Sequence, residues 1–382
     1  MKHILISYDY FFPGFKAGGP IQSLVNLVLL LQKDYKVSVF TGAYDLNENN
    51  PYQRIKLNEW NAVLLPGTST SIDVWYADTQ KLRYKDVVNT LNFIKPDIIY
   101  INSMYSLQFL IYPLFAIKKL NLKTRIVICP RGMLQNGALQ VKALKKKLFL
   151  KCFKGSGLLN NVYWHATNQE EKKDIKKHFP VYSNITVASN IPKLPYKIFS
   201  KSIKETGKLK LIYLSLISEK KNLHLLLQVL SKSVVGITLD IYGPIKDKSY
   251  WENNCTSLIK ELGGRVEHKG EIQPLHVQEK FEQYHALALL TKGENFGHAI
   301  YECLSVGRPV ITSYFTPWNK LTEKKAGWNV DILNLDQIAE LLNELAYMDE
   351  STYESFTNGA HNIAEEYYYN QNFHKAYAEC FF

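Results

Sequence analysis

The stretch Thr291-Lys-Gly-Glu294-Asn-Phe-Gly297-His298-Ala-Ile-Tyr-Glu302-Cys-Leu-Ser-Val-Gly307-Arg-Pro309-Val-Ile311 decides how the chain is read. The apolar run Ala286–Leu290 precedes it and reads as a strand. A loop containing glycine follows, then a helical segment over 297–306, a glycine stop at Gly307, and a proline before a second β-branched run, Pro309–Ser313. Strand, loop, helix and strand in this order define an α/β unit with parallel strands. The first N–H groups of such a helix lack intrahelical partners and form an anion site, and Gly297 lets a ligand approach the backbone.

The same alternation extends in both directions. Upstream in the second half, Leu209–Leu216, Ile237–Tyr242 and Arg265–His268 read as strands, with helices at Leu223–Ser231, Tyr250–Leu262 and Leu275–Tyr284. Downstream the chain closes in helices at Leu335–Tyr347 and Glu354–Tyr369. The first half has strand patterns at Ile4–Ser7, Val37–Phe40, Ala62–Leu65, Ile98–Ile101, Ile126–Cys129 and Val162–Ala166. Helical patterns lie between them at Ile21–Lys33, Thr79–Ile94 and Leu107–Leu120. Ile191-Pro-Lys-Leu-Pro195 and the polar tract to Lys208 read as a linker. The expectation is therefore α/β with two Rossmann-like, doubly wound domains. Open parallel sheets bind ligands beyond the carboxyl ends of their strands, so two such sheets are expected to face each other across a ligand cleft.

Charge separates the two halves. The 382-residue chain has a formal net charge of +11, but residues 1–195 carry +14 and residues 196–382 carry −3. A basic first half suggests an anionic partner. No nucleic-acid recognition motif accompanies the charge, so nucleic acid is not expected. The five cysteines are far apart and have no zinc spacing, which suits free thiols in a reducing compartment. The N-terminal run is interrupted by Tyr8, Asp9 and Tyr10 and reads as a first strand rather than a signal peptide. A cytoplasmic protein is expected.

Glu294 stands in the loop and Glu302 within the helix, too far apart for one coupled carboxylate pair and well placed to accept from separate hydroxyls of an elongated ligand. The full string closely resembles the E-x7-E signature of retaining glycosyltransferases of family 4, which have the GT-B fold. The resemblance runs through most of the chain. It implies an N-terminal acceptor-side domain over 1–195, a nucleotide-sugar donor domain over 196–360, and a C-terminal helix at 361–382 packing back on the first domain.

Other segments carry the same resemblance. Pro13-Gly-Phe-Lys-Ala-Gly18-Gly19 is similar to the family's Gly-rich loop near the donor. Pro130-Arg131-Gly132 resembles a family motif, and Arg131 could contact the donor or an acidic acceptor. His165-Ala-Thr-Asn168-Gln-Glu170-Glu171 resembles a strand-to-helix segment with a structural role, with His165 as a packing residue. Ser218-Glu-Lys220-Lys221-Asn222 resembles the loop that opens the donor domain. Many members have Arg at the place of Leu216 and Lys at the place of Lys221, and the two cations hold the diphosphate. Leu216 departs from that pattern, so Lys220, Lys292 or Arg131 would have to compensate. Gly243-Pro244 is similar to a family turn, and Asn295, Phe296, Gly297 and His298 complete the donor-side set. Gly270-Glu271-Ile272 and Thr316-Pro317-Trp318 are weaker matches.

The resemblance implies transfer of a sugar from a nucleotide-sugar to a saccharide, with retention, in cell-surface polysaccharide, lipopolysaccharide or capsule assembly. Glu294, Lys221 and Glu302 would be the catalytic set. No D-x-D occurs in the chain, so neither metal nor cofactor is expected. Residues 142–154 carry six lysines and no acid. There Lys142, Lys145, Lys146, Lys147, Lys151 and Lys154 could present a basic amphipathic face to an anionic membrane that holds a lipid-linked acceptor. A peripheral position at the inner face of the cell membrane would follow. A non-catalytic nucleotide-sugar-binding subunit, a nucleotide-sugar epimerase and a lipid-binding protein remain open alternatives.

Overall fold

A computed structural model describes residues 1–140, 143–181, 184–196 and 203–382, without the side chain of Asn136. Contacts divide the chain into two compact units, Met1–Ile191 with Asn372–Phe382, and Pro192–Gln371.

The first unit contains β1 (His3–Tyr8), α1 (Gly19–Leu31), β2 (Lys36–Gly42), β3 (Trp60–Leu64), β4 (Ser71–Ala77), α2 (Tyr84–Ile94) and β5 (Ile98–Ile101). A wide turn at Leu107–Ile111 then leads into α3 (Tyr112–Lys119), β6 (Arg125–Ile128), α4 (Asn136–Gln140), α5 (Ala143–Gly155), β7 (Val162–Ala166), α6 (Gln169–His178) and β8 (Ile185–Val187). The eight strands form one sheet in the order β3-β4-β2-β1-β5-β6-β7-β8. Only the β3–β4 pairing is antiparallel. All four residues of β5 are buried, as expected of a parallel strand covered on both faces. Trp164 on β7 stacks on Phe179 just past α6 and closes the core on that side. The sequence pattern does not foresee β4 or β8, and α2 begins at Tyr84 rather than Thr79 because Asp78 and Arg83 organise a turn before it.

The second unit contains β9 (Leu209–Leu214), α7 (Leu223–Ser231), β10 (Ile237–Tyr242), α8 (Lys248–Tyr250), α9 (Thr256–Leu262), β11 (Val266–Gly270), α10 (Val277–Phe281), β12 (Ala286–Leu289), α11 (His298–Leu304), β13 (Val310–Ser313), β14 (Gly327–Val330), α12 (Leu335–Tyr347) and α13 (Glu350–Asn370). Its six parallel strands run in the order β11-β10-β9-β12-β13-β14. Side-chain oxygens of Asn334 and Asp349 accept from Gln337 and Thr352 N–H groups and cap α12 and α13.

The last helix, α14 (Phe373–Phe381), clusters with the first unit. Tyr377 donates to the Ser189 carbonyl at 3.2 Å, and Phe381 meets the Tyr100 ring edge-on. Helix α13 runs unbroken to Asn370, so the boundary before α14 falls after Gln371, later than the break at 360 drawn from sequence. The first boundary falls at Ile191 because Lys193 and Tyr196 already bond to second-unit residues. The end of the linker tract is not solvated either. Lys204 is buried and donates to the Ala346 carbonyl at 2.7 Å, satisfying the end of α12.

Candidate functional site

The loop after β12 is fixed before any ligand is considered. Lys292 N–H donates to the Lys220 carbonyl at 2.8 Å, and Glu294 N–H to the Phe315 carbonyl at 3.0 Å. Phe296 is buried against Trp318, Tyr301 and Tyr367, and the Trp318 indole donates to the Phe296 carbonyl at 2.6 Å. Gly297 then opens α11 with φ of 81°, in the left-handed region that glycine occupies without strain. Asn295 and His298 flank this turn, and the His298 ring meets Phe296 edge-on at 4.7 Å.

This anchoring presents Glu294 to Lys221, and the two form an ion pair whose side chains are largely shielded from solvent. Lys220 and Lys246 lie beside this ion pair and complete a cluster of three lysines. Desolvation of the ammonium ends, and next the neighbouring Lys221, hold both below the ordinary lysine value. Lys246 reaches this place through the backbone. Ile217 pairs with Ile245, and the Ile217 carbonyl accepts from Lys246 N–H at 3.1 Å. The cluster carries two more positive than negative charges, which suits a phosphate-bearing anion.

Glu302 lies apart, buried in α11 and paired with Lys193 at 3.0 Å. The Lys193 ammonium also donates to the Pro274 carbonyl.

Residues 196–362 match the family glycosyl transferases group 1. No curated protein matches the sequence. Among solved structures, sucrose-phosphate synthase from Thermosynechococcus elongatus aligns with a TM-score of 0.70 at 13% identity, covering 99% of this chain and 100% of that one. Anabaena HepE in complex with UDP and glucose aligns with a TM-score of 0.68 at 14% identity, covering 96% and 95%. WaaG, a glycosyltransferase involved in lipopolysaccharide biosynthesis, aligns with a TM-score of 0.65 at 13% identity, covering 99% and 98%. The fold is therefore GT-B, with two Rossmann-like sheets in tandem.

Within residues 196–362, the structure brings Lys220, Lys221 and Glu294 together and places Glu302 on the following helix. Lys292 is turned to an exposed pair with Glu219 at 3.0 Å. Gly243 has a packing role. Its N–H donates to the Gly270 carbonyl at 2.8 Å, its carbonyl faces the His268 ring at 3.2 Å, and a Cβ there would lie 1.9 Å from the Ser215 carbonyl oxygen. Two residues of the site escaped the sequence reading. Lys246 stands two residues past the Gly-Pro pair, a position that signals it only once the two loops are seen to zip together. Lys193 sits between the prolines of the assumed linker.

In the first unit, Gly18 caps α1 with φ of 83°. The Asp45 carboxylate supports the loop ahead of it, accepting from Phe15 N–H at 2.8 Å and Lys16 N–H at 3.1 Å. Gly19 is the first residue of the helix.

Arg131 is turned inward. Buried after β6, it donates through Nε to Asn102 at 2.9 Å, through one terminal nitrogen to Asn190, and through the other to the Tyr100 hydroxyl at 3.1 Å. His165 continues this seam between the Tyr100 hydroxyl and the Ala188 carbonyl, each at 2.7 Å, and burial pushes its pKa down to about 3. Glu171 accepts from Thr167 and from Gly132 N–H, which fixes the turn that holds Arg131. His165 packs as the sequence suggested, and the Asn168 side chain caps α6 by accepting from Glu171 N–H at 2.8 Å.

Helix α5 has two faces. Leu150 and Phe153 are buried in the core, and Phe149 packs against it. Leu144 and Leu148 are 83% and 64% exposed, with Lys145, Lys147 and Lys151 around them, while the Lys154 ammonium lies over the Phe179 ring. Lys146 leaves this outer face and donates to the Ala138 carbonyl, over the Tyr105 ring. Lys142 lies outside the described residues. Among the described residues no helix is long and apolar enough to cross a membrane, and no group of three metal-ligating side chains assembles.

Proposed function

We propose that the chain is a retaining glycosyltransferase of family 4 that moves a sugar from a nucleotide-sugar to a saccharide hydroxyl. The observation that carries this reading is the lysine cluster around Glu294 inside the segment that matches glycosyl transferases group 1. Lys221, Lys220 and Lys246 hold the diphosphate, and Lys246 supplies the cation that Leu216 does not. The Lys221–Glu294 pair keeps both groups oriented until a donor arrives. The ammonium then turns to phosphate and the carboxylate to hydroxyls of the transferred sugar. Glu302, held by Lys193, accepts from the ribose.

The bond from the anomeric carbon to the leaving phosphate oxygen breaks as the acceptor oxygen attacks from the same face, and the hydroxyl proton passes to the departing diphosphate. Lysine charge stabilises that leaving group, so no metal is required. UDP-sugars come first as donors because HepE was solved with UDP and glucose.

The outer face of α5, with two exposed leucines among lysines, suits the surface of an anionic membrane and a lipid-linked acceptor there. This arrangement fits polysaccharide assembly at the inner face of the cell membrane.

Purified protein is incubated with UDP-, GDP- and ADP-sugars and a panel of saccharides, with and without EDTA, and the product anomer is read by NMR. Transfer with retained configuration and no loss in EDTA is expected. Epimerised donor without transfer, or no turnover of any donor, would overturn the reading.

A further inference from the structure

The first unit carries a concavity of about 280 Å³ whose wall includes Asp9, Tyr10, Tyr44, Gln80, Gln108 and Phe109. We propose that it is a subsite for one uncharged, hydroxyl-rich sugar ring of the acceptor, with the Asp9 carboxylate taking a sugar hydroxyl. The proposal rests on the glycosyltransferase reading for the word acceptor, but not for the chemistry of the ligand.

Position is the first argument. The wall is built from residues just past the carboxyl ends of β1, β2 and β4, and from the turn after β5. From β1 the chain passes to β2 on one side, and β5 lies on the other, so the concavity lies beside the point where strand order reverses. Open α/β sheets bind ligands at such points. The volume is just below the usual range of ligand pockets, roughly 300–1,000 Å³, which fits one ring better than a chain of them.

The lining is the second argument. Asp9 accepts from the Ser106 hydroxyl at 2.8 Å and from Ser103, and among the described residues no lysine or arginine pairs with it. A carboxylate has about four acceptor positions, so two serines and the Asp9 backbone N–H leave room for a ligand hydroxyl. Gly42 brings the floor close, since a Cβ there would lie 2.8 Å from the Asp9 carbonyl oxygen. Tyr10, Tyr44 and Phe109 give apolar ring surface beside these polar atoms, the mixture that a pyranose presents in return.

Charge then narrows the class. Three carboxylates, Asp9, Asp45 and Glu48, lie on the wall, among the described residues no lysine or arginine does, and Lys16 pairs with Glu48 at 2.7 Å from outside it. A phosphate or uronate would meet net negative charge here. The basic character of this half of the chain therefore does not describe this concavity, and the acceptor ring that enters it is neutral.

The test is ligand-observed NMR on the full chain with methyl α-D-glucopyranoside and glucuronate, with UDP present to occupy the lysine cluster. The wild type is expected to bind the neutral glycoside at least tenfold more tightly than glucuronate. Asp9→Asn should reduce that ratio to less than threefold. The exposed Gln80→Ala should weaken the neutral glycoside severalfold, and it decides the matter if Asp9→Asn does not fold. Equal binding of the two sugars by the wild type, or an unchanged ratio in a folded Asp9→Asn protein, would overturn the proposal. UDP titration of the same samples separates the two claims, because loss of UDP binding would remove the function reading while the sugar ranking still tests the subsite.

Discussion

Replacing Arg131 with alanine should unfold the first unit before it affects donor binding. The guanidinium ties together Asn102 after β5, Asn190 after β8 and the Tyr100 hydroxyl. Tyr100 keeps His165 as a partner at 2.7 Å, whereas the two asparagine oxygens lose the ionic donor. Each buried acceptor left unpaired costs about 1–3 kcal/mol, so the pair gives about 2–6, and about 4 kcal/mol is the central expectation. At about 2–4 °C per kcal/mol for a unit of this size, the melting temperature should fall by about 8–16 °C. Calorimetry gives the shift, and hydrogen exchange on peptides from each unit locates it. Arg131→Lys keeps the charge but not the fork, and should recover less than half of the loss. Melting within about 2 °C of the wild type, together with lost nucleotide binding, would refute this reasoning and return Arg131 to a ligand.

Acid should weaken the fold through two buried histidines, whose pKa values burial lowers to about 3 for His165 and about 4 for His285. Between the ordinary value near 6.5 and these values the unfolded chain binds more protons than the native one. Stability therefore falls as pH drops through that window, by up to about 1.4 kcal/mol per unit per histidine. Denaturant titrations at pH 7 and pH 5 should show a smaller difference in His285→Gln, and an unchanged difference would contradict the assignment. Gly243→Ala places a Cβ against the Ser215 carbonyl and should destabilise the second unit by at least about 2 kcal/mol, as read by urea unfolding. Lys145→Glu, Lys147→Glu and Lys151→Glu together remove about 3 kcal/mol of attraction to an anionic leaflet and add the repulsion of three carboxylates. Sedimentation with phosphatidylserine vesicles should show binding weakened by at least about a hundredfold, and equal sedimentation would contradict the membrane proposal.

What could be read from sequence follows burial and locality. Strands β1, β5 and β7 are nearly continuous apolar runs because both faces are covered, and their positions are plain. Strand β4 was missed because Ser71 and Asp73 point to solvent in its first half, and β14 because a glycine and an asparagine occupy two of its four positions. Glu294 and Lys221 could be named because the strings around them resemble family motifs, and a motif is local in sequence. Their pairing with each other, the approach of Lys246 and the pairing of Lys193 with Glu302 depend on loops that meet only after the sheet has formed. The partners of Arg131 depend on the same kind of meeting between distant loops. A charged residue after a strand looks ligand-facing until Asn102 and Asn190, from other strand ends, are seen to use its donors.

On the proposed function, the lysines beside Glu294, with Glu302 beyond them, bind a nucleoside diphosphate. Calorimetric titration of UDP, and of GDP and ADP, into wild type, Lys221→Met and Glu302→Gln tests it directly. One of the three nucleotides should bind the wild type. Lys221→Met should weaken it about 10- to 150-fold, as expected for one lost charged contact of about 1.5–3 kcal/mol, and Glu302→Gln should weaken it by at least tenfold. Binding of the same strength in folded Lys221→Met and Glu302→Gln proteins, or no binding of any of the three by the wild type, would contradict the account.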